Sequence, residues 1–386
     1  PLEKGIIRSQ NNVFVFKDGT IRMDSTNLPL THFKPGEIKV TIKQLKEMGY
    51  EFDVDGNEIE SPDQVIELFP QDIVIPLDTV DYLIRITNFI DALLEKFYGL
   101  EPYYNATRQE DLIGTLMIYL APHTSAGVLG RIIGFSKARG CYAHPYFVAA
   151  SRRDCDGDEN AVMFLLDALL NFSKYYLPAS RGGQMDAPLV LTSCLNPAEV
   201  DDQVHEVDVL DKIPLSFYET SHELRKPSTY NFPVVADKLG REDQYSDFKF
   251  THSTTSIDAG VIRSAYTVLK SMADKVDAQL KLGQRIRAVD QRDEATRLLN
   301  SHFLRDIYGN LRAFGEQKFR CVDCNSKYRR VPLIGKCTKC GGKVILTVAE
   351  GSVRKYLEIS KSIADKYQLD EYMQQRLRLV ENNIDS

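Results

Sequence analysis

Over the first 78 residues, apolar positions come in short bursts separated by turn residues, which predicts a β-rich region holding one helix. NVFVFKDGTIRM (12–23) alternates around Asp18-Gly19, a hairpin signal, and VTIKQLKEMGY (40–50) has helical spacing that closes at Gly49. The period changes near residue 79. TVDYLIRITNFIDALLEKFYGL (79–100) places apolar residues three and four apart, and Thr107 with Glu110 reads as a capping box opening a second helix, EDLIGTLMIYLA (110–121). From His123 to Gly140 glycines and small residues interrupt the pattern, predicting a loop-rich segment. CYAHPYFVAASRRDCDGDE (141–159) reads as extended structure ending in an acidic turn, and ENAVMFLLDALLNFSKYYL (159–177) as a helix stopped by Pro178. RGGQMDAPLVLT (181–192) reads as a glycine loop and a strand, and THSTTSID (251–258) as a linker or exposed loop. Helical spacing returns from Ala259 to about Gly315, and SVRKYLEISKSIADKYQLDEYMQQRLRLVENN (352–383) reads as a charged amphipathic helical tail.

The resulting expectation is an α+β chain divided at 1–78 (β-rich), 79–121 (helical), 122–258 (the region with the acidic turn), 259–315 (helical), 316–348 (a cysteine module) and 349–386 (helical tail). A length of 386 residues with 43% hydrophobic content allows two or three cores. No apolar run of membrane length and no basic-then-apolar leader occurs, so the expected location is cytoplasmic with no membrane partner. A first residue of Pro rather than Met points to a portion of a longer polypeptide. The seven cysteines do not form a disulfide pattern: four cluster at metal spacing, and Cys141, Cys155 and Cys194 are expected to be small buried hydrophobes. Cys141 and His144 stand three apart, but without a second pair they read as a buried thiol and a hydrogen-bonded histidine rather than zinc ligands. Asp53, Asp55, Gly56 and Asn57 resemble a calcium loop but lack its later glycine and glutamate, so a plain Asp-Gly turn is expected.

The chemistry concentrates at SRRDCDGDE (151–159). In extended backbone Asp154, Asp156 and Asp158 share a face, and Gly157 lets the chain bend so that they converge. Carboxylates that close repel one another, and a divalent cation with oxygen ligands, Mg²⁺ or Mn²⁺, removes the conflict. The chemistry such a site serves is phosphoryl or nucleotidyl transfer. Two other readings stay open here: a solvated acidic turn at a helix start, and a phosphatase in which Asp154-Cys155-Asp156-Gly157 supplies a nucleophilic Asp154. Lys137, Arg139, Arg152 and Arg153 flank the cluster, either to hold phosphates or to neutralise the aspartates.

Cys321-x-x-Cys324 followed by Cys337-x-x-Cys340-Gly-Gly is the spacing of a four-thiolate structural Zn²⁺ site. Between residues 318 and 343 eight basic residues, among them Lys327, Arg329 and Arg330, face the single Asp323 in a chain whose net charge is −6. Tyr328 is interleaved, and the balance is that of a surface contacting a phosphate backbone, although part of it offsets the thiolates.

DCDGDENAV resembles the Asp-x-Asp-Gly-Asp signature of the two-barrel polymerases. GCYAHPYF, LLDALLNFSKYYLPASRGGQMDAPLVLT and the cysteine module together resemble the large, catalytic subunit of the archaeal family D DNA polymerase, over nearly the whole chain and as its C-terminal portion. The resemblance implies a double-psi β-barrel core with surrounding helices, a zinc ribbon and a helical tail. It implies Mg²⁺-dependent DNA synthesis on a primer-template from deoxynucleoside triphosphates, with Asp156 and Asp158 as the catalytic metal ligands. Asp154 stands where the family usually has asparagine, leaving its role as a third ligand open. Arg181, beside Gly182-Gly183, becomes a candidate contact for the incoming nucleotide or primer. Also implied are a second barrel before Pro1, without which this chain alone would not polymerise, a small exonuclease subunit as partner, a sliding clamp docked through the tail, and a nucleoid-associated location. A competing reading from another class is a non-catalytic, zinc-stabilised nucleic-acid scaffold.

Overall fold

The computed structural model describes residues 2–122, 124, 126–173, 175, 189–249, 256–262, 265–346 and 350–385. The chain divides into two compact units, Pro1–Arg263 and Ser264–Ser386.

The first unit is built on a closed barrel. In chain order its strands are β1 (Met23–Pro29), β2 (His32–Phe33), β3 (Ile66–Glu67), β4 (Asp72–Pro76), β5 (Leu116–Leu120), β6 (Ala126–Ser136), β7 (Cys141–Ala143), β8 (Glu159–Phe164) and β9 (Val190–Thr192). Six of them run β4-β7-β1-β8-β5-β6, and the β6–β4 pairing closes the ring. The β1–β7 and β4–β6 pairs are parallel and the other four contacts antiparallel, so the barrel is mixed. β9 adds in parallel to the start of β6, and β2 and β3 pair apart from the barrel.

Successive residues of β5 enter different clusters: Met117 and Tyr119 join the large core that includes Phe89 and Phe147, whereas Ile118 and Leu120 pack with Ala161 and Met163 of β8. Both faces of these strands are therefore covered, and the polar alternation of a half-solvated strand disappears. This corrects two expectations. LMIYL is strand β5, not the helix anticipated from Thr107 and Glu110; those residues lie before and within a single 3₁₀ turn, Gln109–Leu112, and it is Asp111 that accepts the Thr107 and Arg108 N–H groups, both at 2.9 Å. ENAVMF is strand β8, and among the described residues of the anticipated helix the α-helical part is Leu165–Asn171.

The loop expected from His123 to Gly140 is, from Ala126, the eleven-residue strand β6. Its glycines serve close approach. A Cβ on Gly134 would lie 2.5 Å from the Ile38 carbonyl oxygen, and one on Gly130 would lie 2.7 Å from Phe147 Cζ. The Asp18-Gly19 segment is a tight turn, with Phe16 N–H bonded to the Thr20 carbonyl at 2.7 Å, but strand pairing starts only at Met23.

Helices α1 (Leu2–Gln10), α2 (Ile42–Glu47), α3 (Val80–Leu93), α4 (Pro145–Ala150) and α5 (Leu165–Asn171) surround the strands. α2 and α3 are the helices the apolar spacing predicts, α2 carrying a Thr41–Gln44 capping box. α4 interrupts a stretch expected to be extended: His144 Nδ1 accepts the Tyr146 N–H at 3.1 Å and Pro145 occupies the first turn. Asp53 accepts the N–H groups of Asp55 and Asn57, the geometry of an Asp-Gly turn.

In the second unit, helices Met272–Gly283, Gln291–Leu298, Leu304–Glu316, Glu350–Lys366 and Glu371–Asp385 share one core through Leu280, Ala295, Ile307, Leu357, Met373 and Val380. The tail is two helices, broken where Gln368 takes φ +48° and Asp370 accepts the Met373 N–H at 2.7 Å. Between the third and fourth helices, β10 (Phe319–Cys321), β11 (Lys327–Tyr328) and β12 (Val344–Leu346) form an antiparallel sheet in the order β11-β10-β12.

Candidate metal centres

The acidic turn links two elements of the first unit. α4 closes at Ser151, Arg152 takes φ +58°, Gly157 takes φ +116°, and β8 begins at Glu159. The positive φ at Gly157 is one that an L side chain rarely adopts, which is why glycine stands between two aspartates. Strand β1 continues its ladder one step into the turn, the Asn27 N–H donating to the Asp158 carbonyl at 2.9 Å.

Held this way, Asp154, Asp156 and Asp158 each offer a carboxylate oxygen, all within 4.8 Å of one another. Asp156 is exposed and Asp158 half-buried. Among the described residues, the positive group in ion-pair contact with the cluster is Arg153, its guanidinium 3.7 Å from Asp158. One half-exposed cation at that distance leaves most of the repulsion uncompensated. The Cys155 thiol lies in the same field: although the residue is exposed, partial desolvation of its sulfur first, then the Asp154 and Asp156 charges, push it up to about 11. The donor set fits a hard divalent cation, with three carboxylates at chelating separation and an exposed side left for water and substrate oxygens.

The other predicted residues divide. Lys137 and Arg139 lie exposed in the β6–β7 connection; the Lys137 N–H points at the Asp258 carboxylate, and the Arg139 guanidinium is paired with Asp78 at 3.1 Å. Arg152 is exposed beside the turn. Arg181 lies outside the described residues. Cys141 is buried as expected, but Cys155 and Cys194 are exposed, because one sits on the acidic turn and the other just after β9. His144 is fully buried against Tyr146 and Phe248, and burial brings its imidazole down to about 3. It serves as a helix cap. Missed by the sequence reading were Asn27, Ser151 and Asn160, buried polar residues beneath the turn; Asn160 and Ser151 adjoin the apolar runs AVMF and PYFVAA, whereas Asn27 stands in the polar strand MDSTNLP and carries no such signal.

In the second unit the four sulfurs of Cys321, Cys324, Cys337 and Cys340 also lie within 4.8 Å of one another, with Cys321–Cys340 at 3.4 Å and Cys324–Cys337 at 3.5 Å. Tetrahedral zinc with Zn–S bonds of about 2.3 Å requires S···S separations of about 3.8 Å, so the thiols fit it closely. The two knuckles are alike in backbone. Cys321 and Cys337 each donate an N–H to a residue five further on, Ser326 at 2.9 Å and Gly342 at 2.8 Å, and Asn325 and Gly341 supply the positive φ after each pair. The Tyr328 hydroxyl is hydrogen-bonded to Cys337 Sγ at 3.0 Å, and that bond brings the thiol down to about 6, toward the thiolate a metal needs. Lys327, Arg329 and Arg330 are exposed on the same module.

Fold and sites together define a mixed-barrel α+β protein with a chelating acidic turn, joined to a helical unit that carries a four-cysteine centre. The family model for "DNA polymerase II large subunit DP2, catalytic domain" matches residues 1–275. Over its whole length the chain is 55% identical to the DNA polymerase II large subunit of Archaeoglobus fulgidus, and 54% identical to those of Methanothermobacter thermautotrophicus and Pyrococcus furiosus. It spans 34%, 35% and 31% of those three proteins, about a third of each. The chain belongs to the DNA polymerase II large subunit family, the large subunit of the archaeal family D polymerases.

Proposed function

We propose that this chain carries the nucleotidyl-transfer centre of a DNA-directed DNA polymerase, extending a primer 3′-hydroxyl with deoxynucleotides under template direction. The observation that carries this reading is the convergence of Asp154, Asp156 and Asp158 within 4.8 Å on a turn anchored to a closed barrel, in a chain of this family. Asp156 and Asp158 hold Mg²⁺ or Mn²⁺, with Asp154 as a third carboxylate. When bound there, the ion supplies the neutralisation of charge that in-line displacement at a phosphate needs. Arg153 orients Asp158 through its ion pair; Arg152, exposed beside the turn, binds the triphosphate, with Lys137 and Arg181 as further phosphate contacts and Arg139 joining them on release from its Asp78 pair. The phosphatase reading needs a buried strand leading into Asp154, and the short helix α4 stands there instead.

The six-strand barrel with two parallel pairs supports assignment to the double-psi class, and the paired knuckles on a three-stranded sheet support a zinc ribbon. The ribbon's basic face contacts the DNA backbone. The complete polymerase adds a second barrel, a small exonuclease subunit and a sliding clamp reached through the tail helices, and works in the cytoplasm at the nucleoid. Among the described residues no helix is long and apolar enough to cross a membrane.

The test is primer extension by the full-length large subunit with its small subunit. Asp156→Asn and Asp158→Asn are expected to lower the extension rate by about 10³-fold or more while DNA affinity and melting temperature stay near wild type. Near-normal extension by either variant rejects the assignment.

A further inference from the structure

Beneath the acidic turn lies a cluster of buried polar side chains with no ionic partner. Asn27 on β1, Tyr119 on β5, Ser151 at the end of α4 and Asn160 on β8 are each 3% exposed or less. The Asn160 side-chain amide donates both of its hydrogens: to Ser151 Oγ at 2.9 Å, on the chain entering the turn, and to Asn27 Oδ1 at 3.1 Å, on the neighbouring strand. The orientation follows from the partners. Ser151 Oγ already donates to the Val148 carbonyl at 2.7 Å, and Asn27 Oδ1 already accepts from the Tyr119 hydroxyl, so both atoms meet Asn160 as acceptors.

The backbone partners of β8 are β1 and β5, so at the base of the turn its entrance is tied to its exit through this side chain, while nearer the tip the longer Arg153–Asp158 and Asp154–Asp158 contacts, at 3.7 and 3.5 Å, cross it. The arrangement is a poor one for stability alone. Among the described residues, Asn160 Oδ1 and Asn27 Nδ2 are buried without a protein partner, a cost that an apolar side chain in this position would avoid. What the amide does hold is Ser151 at the turn's entrance and Asn27 on β1.

We propose that Asn160 is a positioning residue for the acidic turn, its amide strapping Ser151 to β1 so that Asp154, Asp156 and Asp158 stay at chelating separation. This rests on the metal-site reading above. Without the strap the entrance swings on the positive φ at Arg152, and repulsion drives the carboxylates apart. Divalent affinity then falls, with little change in which residues ligate.

The probe is Mn²⁺ alone, titrated into the protein and followed by electron paramagnetic resonance, for wild type, Asn160→Ala, Ser151→Ala and Asp156→Asn, each also melted with and without Mn²⁺. Half-saturation of the Asp156-dependent site is expected to require about tenfold more Mn²⁺ or more in Asn160→Ala and Ser151→Ala, and the Mn²⁺-induced rise in melting temperature to shrink. A purely structural role would lower the melting temperature equally in both conditions and leave half-saturation unmoved, which would overturn the proposal. If Asn160→Ala does not fold, Ser151→Ala, which removes a single oxygen, decides alone. If Asp156→Asn binds Mn²⁺ as wild type does, the metal-site reading itself fails, an outcome distinct from a failed strap.

Discussion

His144 stands three residues after Cys141, a ligand-like spacing, yet the fold uses it as the N-cap of α4 and buries its ring. Its folded value, about 3, lies below the ordinary histidine value, so on acidification the unfolded chain takes up the proton first. The contribution to stability is complete above pH ~6.5 and is lost as pH falls toward 3; at pH 5 the loss is about 2 kcal/mol. His32, brought down to about 4 chiefly by burial, acts in the same direction. Asp167, pushed up to about 6 by burial, acts in the opposite one, contributing below pH ~4 and losing that contribution as pH rises to 6. Because asparagine keeps the cap and does not titrate, His144→Asn is expected to shrink the fall in melting temperature between pH 7 and pH 5. A fall equal to that of wild type would show that His144 does not couple to folding.

At the scale of elements, the barrel strands were the part hardest to read. β5 and β8 are apolar on both faces, and a short uninterrupted apolar run has the same periodicity as a buried helix segment. β6 was hidden by its glycines, which look like loop punctuation and instead let Ile38 and Phe147 pack against its backbone. Gly134→Ala is therefore expected to destabilise the first unit by about 1–3 kcal/mol, seen as a lower midpoint in chemical denaturation, since its Cβ would meet backbone oxygen rather than a movable side chain. The same substitution at Gly56, where nothing lies within 4 Å but φ is +81°, carries only backbone strain and serves as a control with a smaller loss.

For the whole molecule, the net charge of −6 conceals opposite local fields, acidic at the turn and basic on the cysteine module. If the module tracks the DNA backbone, replacing Lys327, Arg329 and Arg330 together by alanine weakens binding to all sequences alike. The slope of log affinity against log salt is expected to become shallower by about 2 to 3, at roughly 0.9 per lost phosphate contact. An unchanged slope in a fluorescence-anisotropy titration would remove the module from the interface. The sequence by itself determined the acidic and four-cysteine clusters and the amphipathic helices, because chelating spacing, αL-permitting glycines and the 3.6-residue period are local and survive without tertiary knowledge. Only the tertiary structure decided that LMIYL and ENAVMF are strands, that Arg139 is committed to Asp78, and that Asn27, Ser151 and Asn160 meet beneath the turn. Asn27 and Asn160 are 133 residues apart, and a hydrogen bond across that distance exists only once the barrel has closed and brought β1 against β8.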